Sequence, residues 1–386
     1  MNQQPPSQAI ARYVEWRANR IPDPVNRLRY LRARTGLSLA TAKDKSKMHW
    51  HWIRVGLIVL CSGFAILPFR PSSIASADKL HDVVPSVNPQ NLPPDSVWQI
   101  ENTAAYENYS NGLRIEKQYA IGNAPRTRYR VFRREHPTMD KFEWKTAIAG
   151  IVYHTTESHV AAFQAANTAV QNKADLWTIA DIQKRRCYNY VIDRYGRVWR
   201  VVNEDSVAWH AGRSIWSDPS GTYVDVNESF LGIAFEAQTY DESQATATPA
   251  QIHSARGLTD MLRTKYKIPS YNCVTHAQVS VSAEFMKIGH HTDWAGNFPF
   301  IAMGLPDNYA LPLASVWAFG FDYDPTFVRA TGNRMWQGLI YADQMTREQA
   351  TLASLTPPQY KQLLQQRYKQ LIQALYSADE EPSNER

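Results

Sequence analysis

Four separated stretches of the chain hold side chains that can do chemistry. The first, Val152-Tyr153-His154-Thr155-Thr156, places a histidine at the end of an apolar run. The second begins at Tyr188, turns through Asp193-Arg194-Tyr195-Gly196 and reaches Ala208-Trp209-His210-Ala211-Gly212. The third is Leu231-Gly232-Ile233-Ala234-Phe235, with Glu236 directly after it. The fourth runs from Val274-Thr275-His276 to Gly289-His290-His291-Thr292-Asp293-Trp294. Imidazoles and carboxylates hold zinc, and imidazoles move protons near neutral pH. A lone His154 is more often a hydrogen-bonded core residue than a ligand, and only a set of such groups changes that balance.

The elements that must position these groups are legible as hydrophobic runs. Ile148 to Tyr153 reads as a buried strand ending at His154, and Val160 to Lys173 has apolar spacing suited to a helix. Tyr188–Ile192 and Arg197–Val202 are β-rich runs joined by a turn, which predicts a hairpin. Leu231–Phe235 predicts a further strand, Pro249–Tyr266 a helix that stops before Pro269, and Asn272–Thr275 a short strand ending at His276. This alternation predicts an α/β (α+β) domain, a mixed central sheet flanked by helices, over 146–304. Residues 78–145 open with four prolines (Pro85, Pro89, Pro93, Pro94) and read as linker and decoration with short strands. Residues 305–386 read as a helical extension. In it, Pro358–Tyr376 carries a stripe of Leu363, Leu364, Tyr368, Leu371, Ile372 and Leu375 for packing on the domain, and the end after it reads as disordered.

Taken in order, strand-His-x-Thr, a D-R-x-G hairpin, W-H-A-G, L-G-I-A-F and a closing H…H-T-D…F-P-F resemble the type 2 N-acetylmuramoyl-L-alanine amidases, relatives of the peptidoglycan recognition proteins. The resemblance covers about residues 147–300. It implies a mixed sheet flanked by helices and one Zn2+ at the floor of a groove, held by His154, His276 and Asp293. Two imidazoles and a carboxylate leave a fourth position for water, the catalytic pattern. By the same resemblance Tyr188 orients that water or donates to the oxyanion. His291 stands two residues before Asp293, where many members have lysine, and can serve the oxyanion or accept a proton. Glu236 can stand in for a catalytic glutamate that some members have at the position of Ala234. Thr155, Trp209 and His210 fall along the substrate groove, His210 as lining or loop buttress. Two departures stand out: the usual D-P-G-P is Asp293-Trp294-Ala295-Gly296 here, and the interval from His276 to Asp293 is longer than in compact members.

Composition narrows the partners. Apolar residues make up 44% and charged residues 20% of the chain, as in ordinary globular proteins. The net charge of +6 is concentrated in residues 1–54, which hold 11 Lys/Arg against 3 Asp/Glu; the rest holds 31 against 33. The folded part therefore has no basic excess to meet a phosphate backbone, and nucleic acid is excluded as the main partner. Val55–Phe69 is an uncharged run followed by Ala75-Ser76-Ala77, and residues 55–77 read as a signal peptide or a membrane anchor, with Met48 a possible true start. Both readings export the remainder to the periplasm or cell envelope. Cys187 and Cys273 read as buried thiols or one disulfide, and nothing fixes an oligomeric state. Two functions follow from the resemblance: zinc-dependent hydrolysis of the amide between N-acetylmuramic acid and L-alanine in peptidoglycan or muropeptides, or a recognition module that binds without cutting.

Overall fold

The computed structural model describes residues 90–158, 162–239, 245–323 and 325–380, all within one compact unit. The basic arm, the apolar segment 55–77, His159 and the last six residues lie outside them. Among the described residues no helix is long and apolar enough to cross a membrane.

Twelve strands build two sheets: β1 (Gln99–Asn102), β2 (Tyr106–Tyr109), β3 (Arg114–Glu116), β4 (Tyr129–Phe132), β5 (Phe142–Lys145), β6 (Gly150–Thr155), β7 (Tyr190–Ile192), β8 (Val198–Arg200), β9 (Ile215–Asp218), β10 (Gly221–Val224), β11 (Phe230–Phe235) and β12 (Cys273–Thr275). The first sheet is mixed, in the order β1-β2-β3-β8-β7-β11-β6-β12, and the second is antiparallel, in the order β5-β4-β10-β9. The helices are α1 (Thr168–Arg185), α2 (Pro249–Tyr266), α3 (His276–Val279), α4 (Ala314–Trp317), α5 (Pro325–Ala330), α6 (Gln337–Leu352) and α7 (Pro357–Glu380).

Strands β6 and β11 are buried along their whole length, so their near-continuous apolar runs suit two covered faces. On one face Ile151, Tyr153, Ile233 and Phe235 pack with Leu258, Met261 and Leu262 of α2. On the other, Val152 and Phe230 meet Trp216 and Tyr223 of the second sheet, while Ala234 meets Ile179 and Ile182 of α1. The C-terminal helices bring Leu339, Met345, Tyr368 and Leu371 into a core shared with Phe132 and Ile215, as the apolar stripe of α7 predicts.

Three expectations can be set against the structure. The short strands expected within 78–145 are present and join the sheets: β3 pairs in parallel with β8, so residues 99–116 extend the central sheet, and residues 129–145 supply half of the second sheet. Polar strands such as Gln-Ile-Glu-Asn carry too little alternation for a sequence pattern to register. The helix expected over Val160–Lys173 runs instead from Thr168 to Arg185, where Arg186 in the left-handed conformation ends it. Of the two readings left open for Cys187 and Cys273, the structure has the free thiols, with Cys273 buried and Cys187 partly so.

Candidate metal centre

The carboxyl ends of parallel strands in an α/β sheet leave a crevice where ligands bind. Here β6 carries His154 to that end. Strand β12 lies parallel beside it with Thr275 opposite Tyr153, so the next residue, His276 at the start of α3, arrives next to His154. The two rings stand 4.4 Å apart. Asp293 comes from a loop tied at several points. Its carbonyl accepts from Ala277 N at 3.3 Å, the Trp294 indole N–H donates to His154 O at 2.9 Å, and Tyr309 OH donates to Trp294 O at 2.6 Å. Trp294 has φ +56°, a conformation that proline, fixed near −65°, cannot take, so the missing D-P-G-P proline reflects a different local backbone.

Nδ1 of His154 lies 3.3 Å from one Asp293 oxygen, and Nδ1 of His276 lies 3.0 and 3.1 Å from the two. All three ligand-type atoms fall within 4.8 Å of one another, and all three residues are buried. His154 Nδ1 is a buried polar atom with no hydrogen-bond partner of its own.

The opposite ring edges are satisfied. His154 Nε2 is 3.1 Å from His210 Nδ1, His210 Nε2 is 3.3 Å from Phe230 O, and His276 Nε2 is 3.4 Å from Ala211 O. Two of these acceptors are backbone carbonyls, so with a cation bound His210 would carry its proton on Nε2 and accept from His154 through Nδ1, which leaves the Nδ1 lone pairs of His154 and His276 for the ion. Burial, reinforced by His276, lowers His154 to about 4, so it is a neutral imidazole near pH 7. Burial alone would raise Asp293, but the two imidazoles hold its carboxyl well below the usual range. This donor set, with a converging and otherwise orphaned lone pair, fits a divalent cation such as zinc.

His210 buttresses the site instead of lining an open groove. Asn227 Oδ1 accepts from the backbone N of His210 at 3.0 Å and of Ala211 at 2.8 Å, fixing the W-H-A-G loop. Gly232 lies so close beneath the ring that a Cβ there would stand 2.6 Å from His210 Cγ, which explains the glycine in L-G-I-A-F.

The other candidates separate. The Tyr188 ring lies tilted beside His154 with centroids 4.9 Å apart, and its OH donates to Thr155 O at 3.4 Å; burial raises its hydroxyl well above 10, so it remains a donor. His291 stacks on His276 at 4.6 Å. Trp209 is 52% exposed. Thr155 is buried, and its hydroxyl donates to Glu157 at 2.5 Å instead of facing a groove, because it occupies the strand face opposite His154. Glu236 requires correction. Its carboxylate accepts from Gln171 at 2.9 Å and from Arg194 N at 3.2 Å, and burial with neighbouring Asp175 raises it to about 8. Residue 236 lies past the end of β11, where the side chain reaches α1 and the hairpin turn, so it does not replace a glutamate at position 234. The motifs missed Glu157, Asn227 and the Trp294 indole. Glu157, at φ +52°, has a carboxyl raised by burial and by the charge of Asp293. No spacing rule marks them, since they act through loop geometry.

The N-acetylmuramoyl-L-alanine amidase family model matches residues 144–295. An 89-residue stretch is 32% identical to N-acetylmuramoyl-L-alanine amidase AmiD of Escherichia coli (strain K12), covering 22% of this chain and 31% of that protein. The chain thus spans about a third of the length of the curated relative it matches. Among solved structures, amidase LysC from Clostridium intestinale URNW is 22% identical, with 49% of this chain and 93% of that one covered and a TM-score of 0.26. The Escherichia coli AmiD complex with anhydro-N-acetylmuramic acid-L-Ala-D-gamma-Glu-L-Lys is 18% identical, with 59% and 89% covered and a TM-score of 0.34. Drosophila peptidoglycan recognition protein SD is 17% identical, with 42% and 85% covered and a TM-score of 0.26.

Proposed function

We propose that this protein is a zinc amidase that hydrolyses the amide between N-acetylmuramic acid and L-alanine in peptidoglycan, acting outside the cytoplasm. The observation that carries the reading is the convergence of His154 Nδ1, His276 Nδ1 and the Asp293 carboxylate, with the far edge of each ring hydrogen-bonded. A recognition module that only binds has no need to keep all three.

Zinc bound by these residues would supply a water acidified to a pKa of roughly 7 and would polarise the scissile carbonyl. The chain's own groups do the rest. His210 and Ala211 O hold the two imidazoles in the tautomer that presents Nδ1. Tyr188, fully protonated near pH 7, donates a hydrogen bond to the carbonyl oxygen as charge builds there. His291, stacked on His276, is placed to relay a proton to the leaving amine of L-alanine. Ala234 leaves the strand without a carboxylate facing His154, and Glu157, beside Thr155, is the acidic group positioned near Asp293. The apolar segment 55–77 would deliver the chain to the envelope, as a cleaved signal or as an anchor.

The test is product analysis. Purified peptidoglycan incubated with the protein should release stem peptides with a free L-alanine amine and leave glycan with intact muramic acid carboxylates. Tyr188→Phe should lower kcat more than KM. Wall binding with no new amine would replace the amidase reading by recognition alone.

A further inference from the structure

Beside the metal centre lies a cavity of about 880 Å³, within the roughly 300–1,000 Å³ of ligand sites. One of its walls is the loop that holds the two metal-facing histidines. Trp209, Gly212 and Arg213 line the cavity, while His210 and Ala211, between them, touch His154 and His276. The other walls come from β4, β5, the segment before β11 and the end of α7. Strand β4 and the end of α7 lie outside the family match, while Trp144, the 209–213 loop and residues 224–229 lie within it, so the chain's additions supply part of this cavity's wall.

Its chemistry is that of an anion reader. Arg128 and Arg130 stack on the Trp144 ring, with guanidinium carbons 4.3 and 4.7 Å from its centroid. Stacking on an aromatic face keeps a guanidinium planar, and Arg128, which is exposed, can offer its N–H fork to a carboxylate. Among the described residues no carboxylate pairs with Arg128. The third guanidinium, Arg213, is engaged by Asp225 at 3.0 Å and stacks on Tyr376 at 4.2 Å; Tyr376 OH also donates to Asp225 at 2.8 Å. Asp225 is therefore already matched, and Glu228 is the other acid on the wall. Exposed Trp209 offers an apolar face at the end next to the metal loop.

We propose that this cavity is a second substrate subsite for the free carboxylates of a stem peptide neighbouring the one being cut, which makes multi-stem wall polymer the preferred substrate over a single-stem fragment. The proposal rests on the amidase reading. The cut stem must lie at the metal-facing side of the 209–213 loop; the cavity lies across that loop and suits a second peptide arm carried on the same polymer.

The experiment compares kcat/KM on wall and on a soluble single-stem muropeptide for the wild type, Arg128→Lys and the double variant Arg128→Ala/Arg130→Ala. A second wall sample has its carboxylates amidated. The double variant should lose about tenfold of the wall-over-fragment preference, the scale of one charge-assisted contact. Arg128→Lys, which keeps the charge without the planar fork, should fall between. Amidated wall should cost the wild type the same factor and the double variant nothing further. An unchanged preference in the double variant, or equal cleavage of native and amidated wall, overturns the proposal. If the wild type cuts neither substrate, the amidase reading fails instead. The subsite is then read by cosedimentation with native and amidated wall: retention that depends on the arginines and on free carboxylates supports it, and retention indifferent to both overturns it.

Discussion

Two buried clusters on the same side of β6 and β11 solve the same electrostatic problem differently. Around Glu236 and Asp175, two carboxylates lie close in the interior. Gln171 Nε2 donates to Asp175 at 2.7 Å and to Glu236 at 2.9 Å, Arg197 pairs with Asp175 at 2.9 Å, and Glu236 keeps a proton to about pH 8. That cluster is closed: charge is neutralised and acceptors are filled. Around Asp293, the carboxylate faces two imidazole nitrogens, one of them a buried atom with no hydrogen-bond partner. Burying an unpaired polar atom costs about 1–3 kcal/mol, a penalty a bound cation removes. The first cluster is complete without a ligand; the second gathers donor atoms that a bound cation would satisfy. Buried charge by itself therefore does not mark a catalytic group, whereas converging lone pairs do.

The comparison can be broken or sharpened. The largest effect should follow Asp293→Ala, which removes the charged donor: amidase activity should fall by more than about a thousandfold, several kcal/mol of barrier, in a stem-peptide release assay. Loss of less than tenfold would mean another group holds the metal. Next is His210→Ala, which leaves the three candidate ligands and frees the far edge of His154. Zinc affinity, measured by chelator competition, should drop about 10–100-fold while the circular dichroism spectrum is kept. Gly232→Ala should force a Cβ against the His210 ring and destabilise the fold by about 1–3 kcal/mol in urea unfolding, with activity reduced because the ring shifts.

The smallest effect on activity belongs to Glu236→Gln, which keeps an acceptor and a donor where the protonated acid stood. Activity should stay within about threefold of wild type, a change of under 1 kcal/mol. Its signature is in stability. The folded carboxyl, at about 8, lies above its unfolded value near 4.5, so its contribution is full below about pH 4.5 and is lost as pH rises through about 8. The glutamine should flatten that decline. A pH profile parallel to wild type would show that Glu236 does not hold its proton in the folded protein.

The sequence made the metal-facing groups legible because strand ends and motif order place His154, His276 and Asp293 together whatever the loops do. It misplaced Glu236 because sharing a side with Ala234 does not fix reach: past the end of β11 at Phe235 the carboxylate is held by Gln171 of α1 and Arg194 N of the hairpin turn. It missed the supporting contacts of Asn227 and Trp294, which depend on a loop conformation and a positive φ that no residue pattern announces. The central sheet was legible from Ile148 onward, where apolar runs are long. Strands β1 to β3 were read as short strands within a linker and decoration, and their place in the central sheet was not legible, since their residues are polar and their pairing with β8 spans over 80 positions.

The most direct test is the zinc content of the purified protein, measured by atomic emission for the wild type, His154→Ala and Glu236→Gln. About one zinc per chain in the wild type and in Glu236→Gln, with none in His154→Ala, is the expected result for a single two-imidazole, one-carboxylate site. A wild type that takes up no zinc, or a His154→Ala variant that keeps a full equivalent, would contradict the assignment of the metal centre.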